Sequence, residues 1–416
     1  MGSHEELVAD KNGKYYELWR AQAQYYKAES GIVIAGFLLW NLAIALFERT
    51  CYTMILVSRQ AAGYKRRTGG FMTDLTDRLT AGGELSDDEW RYLIEGDCEK
   101  QLLFNEADKV RRRHYGTDVY IRGLIEISSF CRNDCLYCGI RRSNTDAARY
   151  RLTGEKIFAC CEQGYGLGFR TFVLQGGEDS YHTAAWVERM VSDIKEKYPD
   201  CAVTLSLGER PREDYESWHR AGADRYLLRH ETASRSHYEK LHPPGQPYLR
   251  RMECLRDLKR IGYQTGAGFM VGSPFQGTEE LIADMRFLQA FRPEMVGIGP
   301  FIPHHDTPFA GYPAGSLERT LTMVALTRLT LPKALIPATT ALGTIHPQGR
   351  EMGLKAGANV VMPNLSPKDV RGQYSLYDNK ACTGQEAAEG LAALRESVAA
   401  AGYRVVVSRG DVVQTE

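Results

Sequence analysis

Cys131, Cys135 and Cys138 stand within eight residues, in the order Cys-Arg-Asn-Asp-Cys-Leu-Tyr-Cys. Three thiolates on one loop can grip three irons of a 4Fe–4S cluster, which four cysteines usually hold. No fourth cysteine lies nearby in the chain, so one iron would keep an open position. Structural zinc is the competing chemistry. It takes four ligands, normally with paired C-x2-C spacing, and His230 or another distant residue would have to complete the set.

A second signal is Gln175-Gly176-Gly177-Glu178-Asp179, directly after an apolar stretch. A glycine pair at a strand end lets backbone approach a ligand closely, although a plain turn reads the same way. Polar clusters recur at the ends of nearly all the later strand-like segments. Taken singly, Arg229 and Arg251 read equally well as surface ion-pair residues, and strand-end threonine and methionine as packing. His230, His304 and His305 invite a metal reading, but a histidine pair beside Asp306 in a proline-rich loop is weak evidence for a mononuclear metal, and none is expected there.

Something must hold these residues together. From residue 117 the chain alternates strand-like and helical stretches. Strands are expected at 118–128, 171–174, 202–207, 225–228, 264–271, 295–298, 335–339 and 359–362. Helical periodicity appears between them, at 154–162, 183–197, 249–261, 278–291 and 317–329. Eight strands with helical crossovers imply a parallel sheet, and eight is the number that closes a (β/α)8 barrel. A doubly wound open sheet is the alternative. The barrel is preferred because the polar clusters gather at strand ends, where barrels carry their chemistry. The expected organisation is an N-terminal extension at 1–71, a helical lead-in at 72–116, a complete barrel at 117–380, and a C-terminal helix and tail at 381–416.

The chain has 416 residues, with 52 Lys plus Arg against 52 Asp plus Glu. That balance leaves no electrostatic footprint for nucleic acid. The basic run of Lys109, Arg111, Arg112 and Arg113 reads as a solvated helix face. Ten cysteines in so long a chain, without staple-like spacing, suit a reducing cytoplasm. Residues 31–47 are apolar except for Asn41 and fall short of the ~20 residues a membrane span needs. A membrane anchor, a packed helix and an over-extended start upstream of Met72 all remain open. Membrane contact is expected only if this extension belongs to the protein.

The cysteine spacing, with an aromatic residue before the third cysteine, resembles the radical S-adenosylmethionine superfamily. Within it, the stretches CRNDCLYCGIRR, VLQGGEDSY, TLSLGERP, GADRYLLRHETA, GYQTGAGFMVGSP, MVGIGPFIPHHDTP, MVALTRLTLP, IPATTALGT and GANVVMPN resemble the HydE family, maturases of iron–iron hydrogenase. The resemblance implies two cofactors, one 4Fe–4S cluster on Cys131, Cys135 and Cys138, and S-adenosylmethionine on its open iron. It implies that Tyr137 faces the adenine and that Gly176, Gly177 and Glu178 contact the methionine amino group. Thr204, Ser206 and Glu231 would meet the ribose, and Arg251 the methionine carboxylate. Gln175, Arg229, Thr339, Thr340, Met362, Tyr374 and Tyr377 would line the substrate cavity. The implied substrate is a cysteine-ligated iron carrying carbon monoxide and cyanide, and the implied partners are other hydrogenase maturation proteins. Some relatives hold a second cluster near the C-terminus. Here only Cys382 stands in that region, so one cluster is expected. A methylornithine-synthase-like mutase, a biotin-synthase-like sulfur inserter and a non-catalytic iron–sulfur scaffold are the competing functions.

Overall fold

The computed structural model describes residues 16, 68–96, 100–381 and 387–413. The apolar run at 31–47 and Cys382 lie outside the described residues, with the readings made of them. No described helix is long and apolar enough to cross a membrane.

Three helices lead in: α1 (Thr68–Thr80), α2 (Asp87–Glu95) and α3 (Lys100–Tyr115). Ser86 and Glu89 close α2 with a reciprocal capping box. Six strands then form one parallel sheet in chain order: β2 (Gly123–Ser128), β3 (Thr171–Gly176), β4 (Ala202–Ser206), β5 (Arg225–Leu227), β6 (Gln264–Val271) and β7 (Met295–Pro300). The crossovers include α4 (Gly154–Gly166), α5 (Ala184–Lys197), α6 (Arg212–Arg220), α7 (Arg235–Leu241), α8 (Tyr248–Ile261), α9 (Thr278–Phe291) and α10 (Leu317–Thr330). Thr153, Thr183, Ser234 and Ser316 start α4, α5, α7 and α10, each accepting a backbone N–H of the first turn. Every residue of β2 is buried, as expected of a parallel strand covered on both faces. Its alternation carries Ile125 and Ile127 into the main apolar core, while Leu124 and Glu126 line an internal cavity.

A second parallel sheet has the order β8–β1–β9, from β1 (Asp118–Ile121), β8 (Val360–Val361) and β9 (Arg404–Val406). Single-residue bridges join Met295 to Leu335, Pro337 to Val360 and Leu124 to Asn364. Short helices α11 (Thr340–Ile345), α12 (Gly349–Lys355) and α13 (Lys368–Arg371) surround this region, and α14 (Ala387–Ala400) leads to β9.

Three expectations change here. The single strand expected at 118–128 is two, because β1 pairs with β8 and β9 while β2 pairs with β3. Residues 335–339 form bridges and no strand, since Pro337 has no N–H to give a ladder. The basic run is not uniformly solvated. Arg111 is fully buried, donating to the carbonyls of Ala358, Gly116 and Asp118 and lying 4.2 Å from the Tyr403 ring centroid. Lys109 and Arg112 do face outward, paired with Glu106 and Asp108.

Candidate active site

The cysteine loop leaves the C-terminal end of β2 and is pinned from several sides. Gly177 N–H donates to the Ser128 carbonyl, and Arg132 N–H to the Glu178 carbonyl. A side chain at Gly177 would put Cβ 2.2 Å from the Phe130 oxygen and 2.8 Å from Cys131 Cβ. Glycine is therefore a steric requirement of the loop. Arg149 ties the loop further, donating to the carbonyls of Ser129, Ile140, Arg141 and Asn144.

Cys131, Cys135 and Cys138 line one cavity of about 360 Å³. Burial pushes the Cys135 thiol up to about 12 and raises Cys131 and Cys138 as well. Thiols so desolvated are inert alone, and a bound metal has to displace their protons. N–H donors already point at two sulfurs: Glu178 N reaches Cys131 Sγ at 3.4 Å and Gln246 Nε2 reaches Cys135 Sγ at 3.4 Å. Such donors stabilise a thiolate and tune a cluster. The other four described cysteines, Cys160, Cys161, Cys201 and Cys254, pack in the apolar core. The residues present thus fit a three-cysteine cluster with an open iron.

The same cavity is lined by Tyr137, Gln175, Gly176, Gly177, Glu178, Ser206, Arg229, Glu231, Arg251, Thr339, Thr340, Met362, Tyr374 and Tyr377. Fourteen positions named from sequence therefore join the cysteines. Thr204 does not. It is buried two residues before Ser206 on β4, off the cavity wall, and its hydroxyl finds no partner.

Polar atoms in these walls are left short of partners. Arg229 Nε and Nη2, Glu231 Oε2 and Thr339 Oγ1 are buried without a hydrogen bond. Arg229 Nη2 stands 3.1 Å from Glu231 Oε2, an ion-pair distance whose angles do not make a hydrogen bond. Buried polar atoms are nearly always satisfied. A cluster of exceptions in one cavity marks a ligand site.

Glu231 sits at φ 66°, a left-handed backbone that costs a non-glycine residue about 1–3 kcal/mol. Its neighbours hold it there. Glu231 N–H donates to the Gly268 carbonyl, and Met270 N–H to the Glu231 carbonyl. Gly268 N–H donates to His230 Nδ1 at 3.2 Å, which leaves the ring proton on Nε2, 3.1 Å from Asp284 Oδ1. Asp284 Oδ1 also accepts Ala233 N–H at 2.6 Å. Burial pushes His230 down to about 3 and raises Asp284 above the usual carboxylate range, against the pull of the Ala233 N–H.

Arg251 is buried, with Nε on Glu209 Oε1 at 2.6 Å and Nη1 on the Arg229 carbonyl at 3.0 Å. The Glu178 carboxylate turns away from a ligand role. It accepts Glu209 N–H at 2.8 Å and Arg132 Nε at 3.1 Å. Gly208, at φ 74°, makes room for it, since a Cβ there would lie 2.1 Å from Glu178 Cγ. Tyr137 sends its hydroxyl to His242 Nε2 at 3.2 Å, Gln175 Nε2 meets the Tyr374 hydroxyl at 3.4 Å, and Thr339 stands at the N-cap position of α11 without a side-chain capping bond.

Sequence reasoning missed Glu126 and Lys380, which pair inside the cavity, together with Glu209, Gln246 and Asp284. Only Glu126 carried a signal, as a lone carboxylate in the apolar run GLIEIS. His304 is buried against Gly139, while His305 is exposed and bonds Asp378 Oδ1 through Nδ1 at 2.7 Å.

The sequence profile of the Radical SAM superfamily matches residues 125–288. The [FeFe] hydrogenase maturase subunit HydE of Thermotoga maritima is 51% identical over 282 residues, covering 68% of this chain and 80% of that protein. A 3-methylornithine synthase of Methanosarcina acetivorans is 32% identical over 298 residues, 70% of this chain and 83% of its own. Among solved structures, methylornithine synthase (PylB) superposes with TM-score 0.70 at 27% identity, covering 80% of this chain and 97% of that one. The maturase HydG from Carboxydothermus hydrogenoformans shares the fold, with TM-score 0.69 at 22% identity over 85% and 83% of the two chains. The cysteine loop, the cavity it opens on and these likenesses agree, and the chain belongs to the HydE family of radical S-adenosylmethionine enzymes.

Proposed function

We propose that this chain builds the diiron subcluster of an iron–iron hydrogenase, working on a cysteine-ligated iron complex that bears carbon monoxide and cyanide. The observation that carries this reading is the single cavity uniting the three thiols with the unpartnered atoms of Arg229, Glu231 and Thr339. Cys131, Cys135 and Cys138 would hold the 4Fe–4S cluster, which when bound supplies the electron that cleaves S-adenosylmethionine to methionine and a 5′-deoxyadenosyl radical. Glu231 Oε2 is an open acceptor for ribose hydroxyls, with Ser206 beside it in the cavity wall. Arg251 keeps Nη2 for the methionine carboxylate, since Nε and Nη1 are committed. Gly176 and Gly177 offer backbone to the amino group, and Tyr137 its ring to the adenine.

On the substrate side, Arg229 and the Thr339–Thr340 hydroxyls suit an anion, and Gln175, Met362, Tyr374 and Tyr377 shape the remaining walls. A complete eight-stranded barrel over 117–380 is supported by the bridges Met295–Leu335, Pro337–Val360 and Leu124–Asn364, which link the ends of the six-stranded sheet through the missing two positions. Other hydrogenase maturation proteins are the expected partners.

The test is anaerobic reconstitution, then dithionite and S-adenosylmethionine, with 5′-deoxyadenosine measured with and without the iron complex. Stimulation by the complex, lost in Cys135→Ala, supports the maturase. Cleavage indifferent to the complex but stimulated by lysine would favour a mutase like the methylornithine synthases. An intact cluster without cleavage would leave a scaffold.

A further inference from the structure

The loop between α7 and α8, residues 242–247, lies against the cysteine loop and is fastened to it at three points. Leu136 N–H donates to the carbonyl of Leu241, at the end of α7, at 3.0 Å, and the Tyr137 hydroxyl meets His242 Nε2 at 3.2 Å. The third point is Gln246. Its Oε1 accepts Asp134 N–H at 3.2 Å, and its Nε2 stands 3.4 Å from Cys135 Sγ. The loop is stiff, because Pro243, Pro244 and Pro247 lock their φ angles. Gln246 N–H closes a turn on the Pro243 carbonyl at 3.0 Å.

The Asp134 contact decides which way the amide faces. A backbone N–H needs an acceptor, so the amide oxygen lies there and the NH2 lies at the sulfur. While Cys135 is a thiol, its Sγ also stands 3.8 Å from Oε1 as a donor. A bound metal displaces that proton, and only the N–H donor to sulfur is left.

The donors at the two sulfurs differ in origin. Glu178 N–H, on Cys131, is backbone and independent of side-chain identity. Gln246 Nε2, on the central cysteine, is a side chain brought in from 111 positions away. A hydrogen bond to a cluster sulfur favours the reduced state, which carries one more negative charge, and so raises the potential.

Resting on the three-cysteine cluster of the function proposed above, we infer that Gln246 is a positioning residue that raises the cluster's reduction potential through Cys135. It thereby sets how strong a one-electron donor the enzyme needs.

The test is a potentiometric titration of the reduced cluster's electron paramagnetic resonance signal, in reconstituted full-length protein without S-adenosylmethionine. Gln246→Glu keeps the acceptor for Asp134 and the volume but offers the sulfur no donor. Gln246→Met keeps the volume and neither bond. Poised at the wild-type midpoint, each variant has its reduced-to-oxidised ratio lowered about tenfold, which is ~59 mV for one electron. Iron content and melting stay at wild type. A wild-type midpoint in Gln246→Glu overturns the inference even if Gln246→Met is lowered, because the amide is then only a fastening of the loop. If Gln246→Glu holds no cluster, Gln246→Met decides: a lowered midpoint at wild-type iron content supports the inference, and a wild-type midpoint overturns it. A Cys135→Ala protein that keeps the wild-type iron content overturns the cluster assignment itself, and the inference with it.

Discussion

Asp284 is never seen by a ligand, yet its loss is expected to disable the ligand site. Its Oδ1 accepts two buried donors, His230 Nε2–H and Ala233 N–H, on either side of the strained Glu231. Asp284→Leu leaves both donors unpaired at about 1–3 kcal/mol each, so about 2–6 kcal/mol together. That is a large share of the ~5–15 kcal/mol that holds an ordinary domain. With its brackets gone, Glu231 relaxes towards an extended backbone, which releases its strain and carries Oε2 out of the cavity. Losing one hydrogen-bonded contact of about 1.4 kcal/mol weakens S-adenosylmethionine about tenfold. Asp284→Asn is the discriminating control, because a neutral amide oxygen accepts the same two donors. Thermal unfolding and calorimetric titration of S-adenosylmethionine into the anaerobic protein measure both effects. Leucine and asparagine variants that behave alike, or a leucine variant indistinguishable from wild type, would refute the bracket.

Gly177→Ala drives a Cβ into the Phe130 carbonyl and Cys131, so iron and sulfide content after reconstitution should fall by more than half, at an overpacking cost of about 1–3 kcal/mol. Thr339→Val keeps the shape and removes an unpaired buried hydroxyl; melting should rise by up to about 1 kcal/mol while KM for the iron complex increases. Arg111→Met strips three carbonyls of their donor, the Ala358 one buried, and should lower stability by about 1–3 kcal/mol without touching the cofactor site, read by denaturant titration. Burial holds His182 down at about 4, so its unfolded form binds the proton first: stability present above pH 6.5 is lost as pH falls towards 4. A His182→Gln variant should flatten that part of the stability profile by about 1–2 kcal/mol at pH 5.

What the chain showed in advance was whatever local spacing encodes. The cysteine loop, the glycine pair and the helix periods of α9 and α10 depend on near neighbours, and α9 and β6 fall at the residues expected. Pairings across the fold were invisible. Lys380 and Glu126 are separated by 254 positions, and Asp284 and Ala233 by 51. Nothing near Lys380 marks it as an interior residue, and Tyr374 and Tyr377 were named only through the family resemblance. Thr204, named with Ser206 through the resemblance, lies two residues earlier on β4 and off the cavity wall, because a strand's alternation gives its face but not the height at which a cavity begins. Arg111 was misread because a charge run says nothing about carbonyls brought in from residue 358.

The pairing of β9 with β1 has a consequence for how the protein is made. Residues 404–406 zip onto 118–120, and Arg225 at the strand floor waits for Asp411 and the Arg409 carbonyl. On a ribosome, the cysteine loop is exposed long before these residues emerge. A contact that distant in sequence closes slowly. The nascent chain thus has its iron-binding thiols ready while its floor is still open. Deleting residues 404–413 should leave a chain that is made in normal amount yet aggregates before it matures.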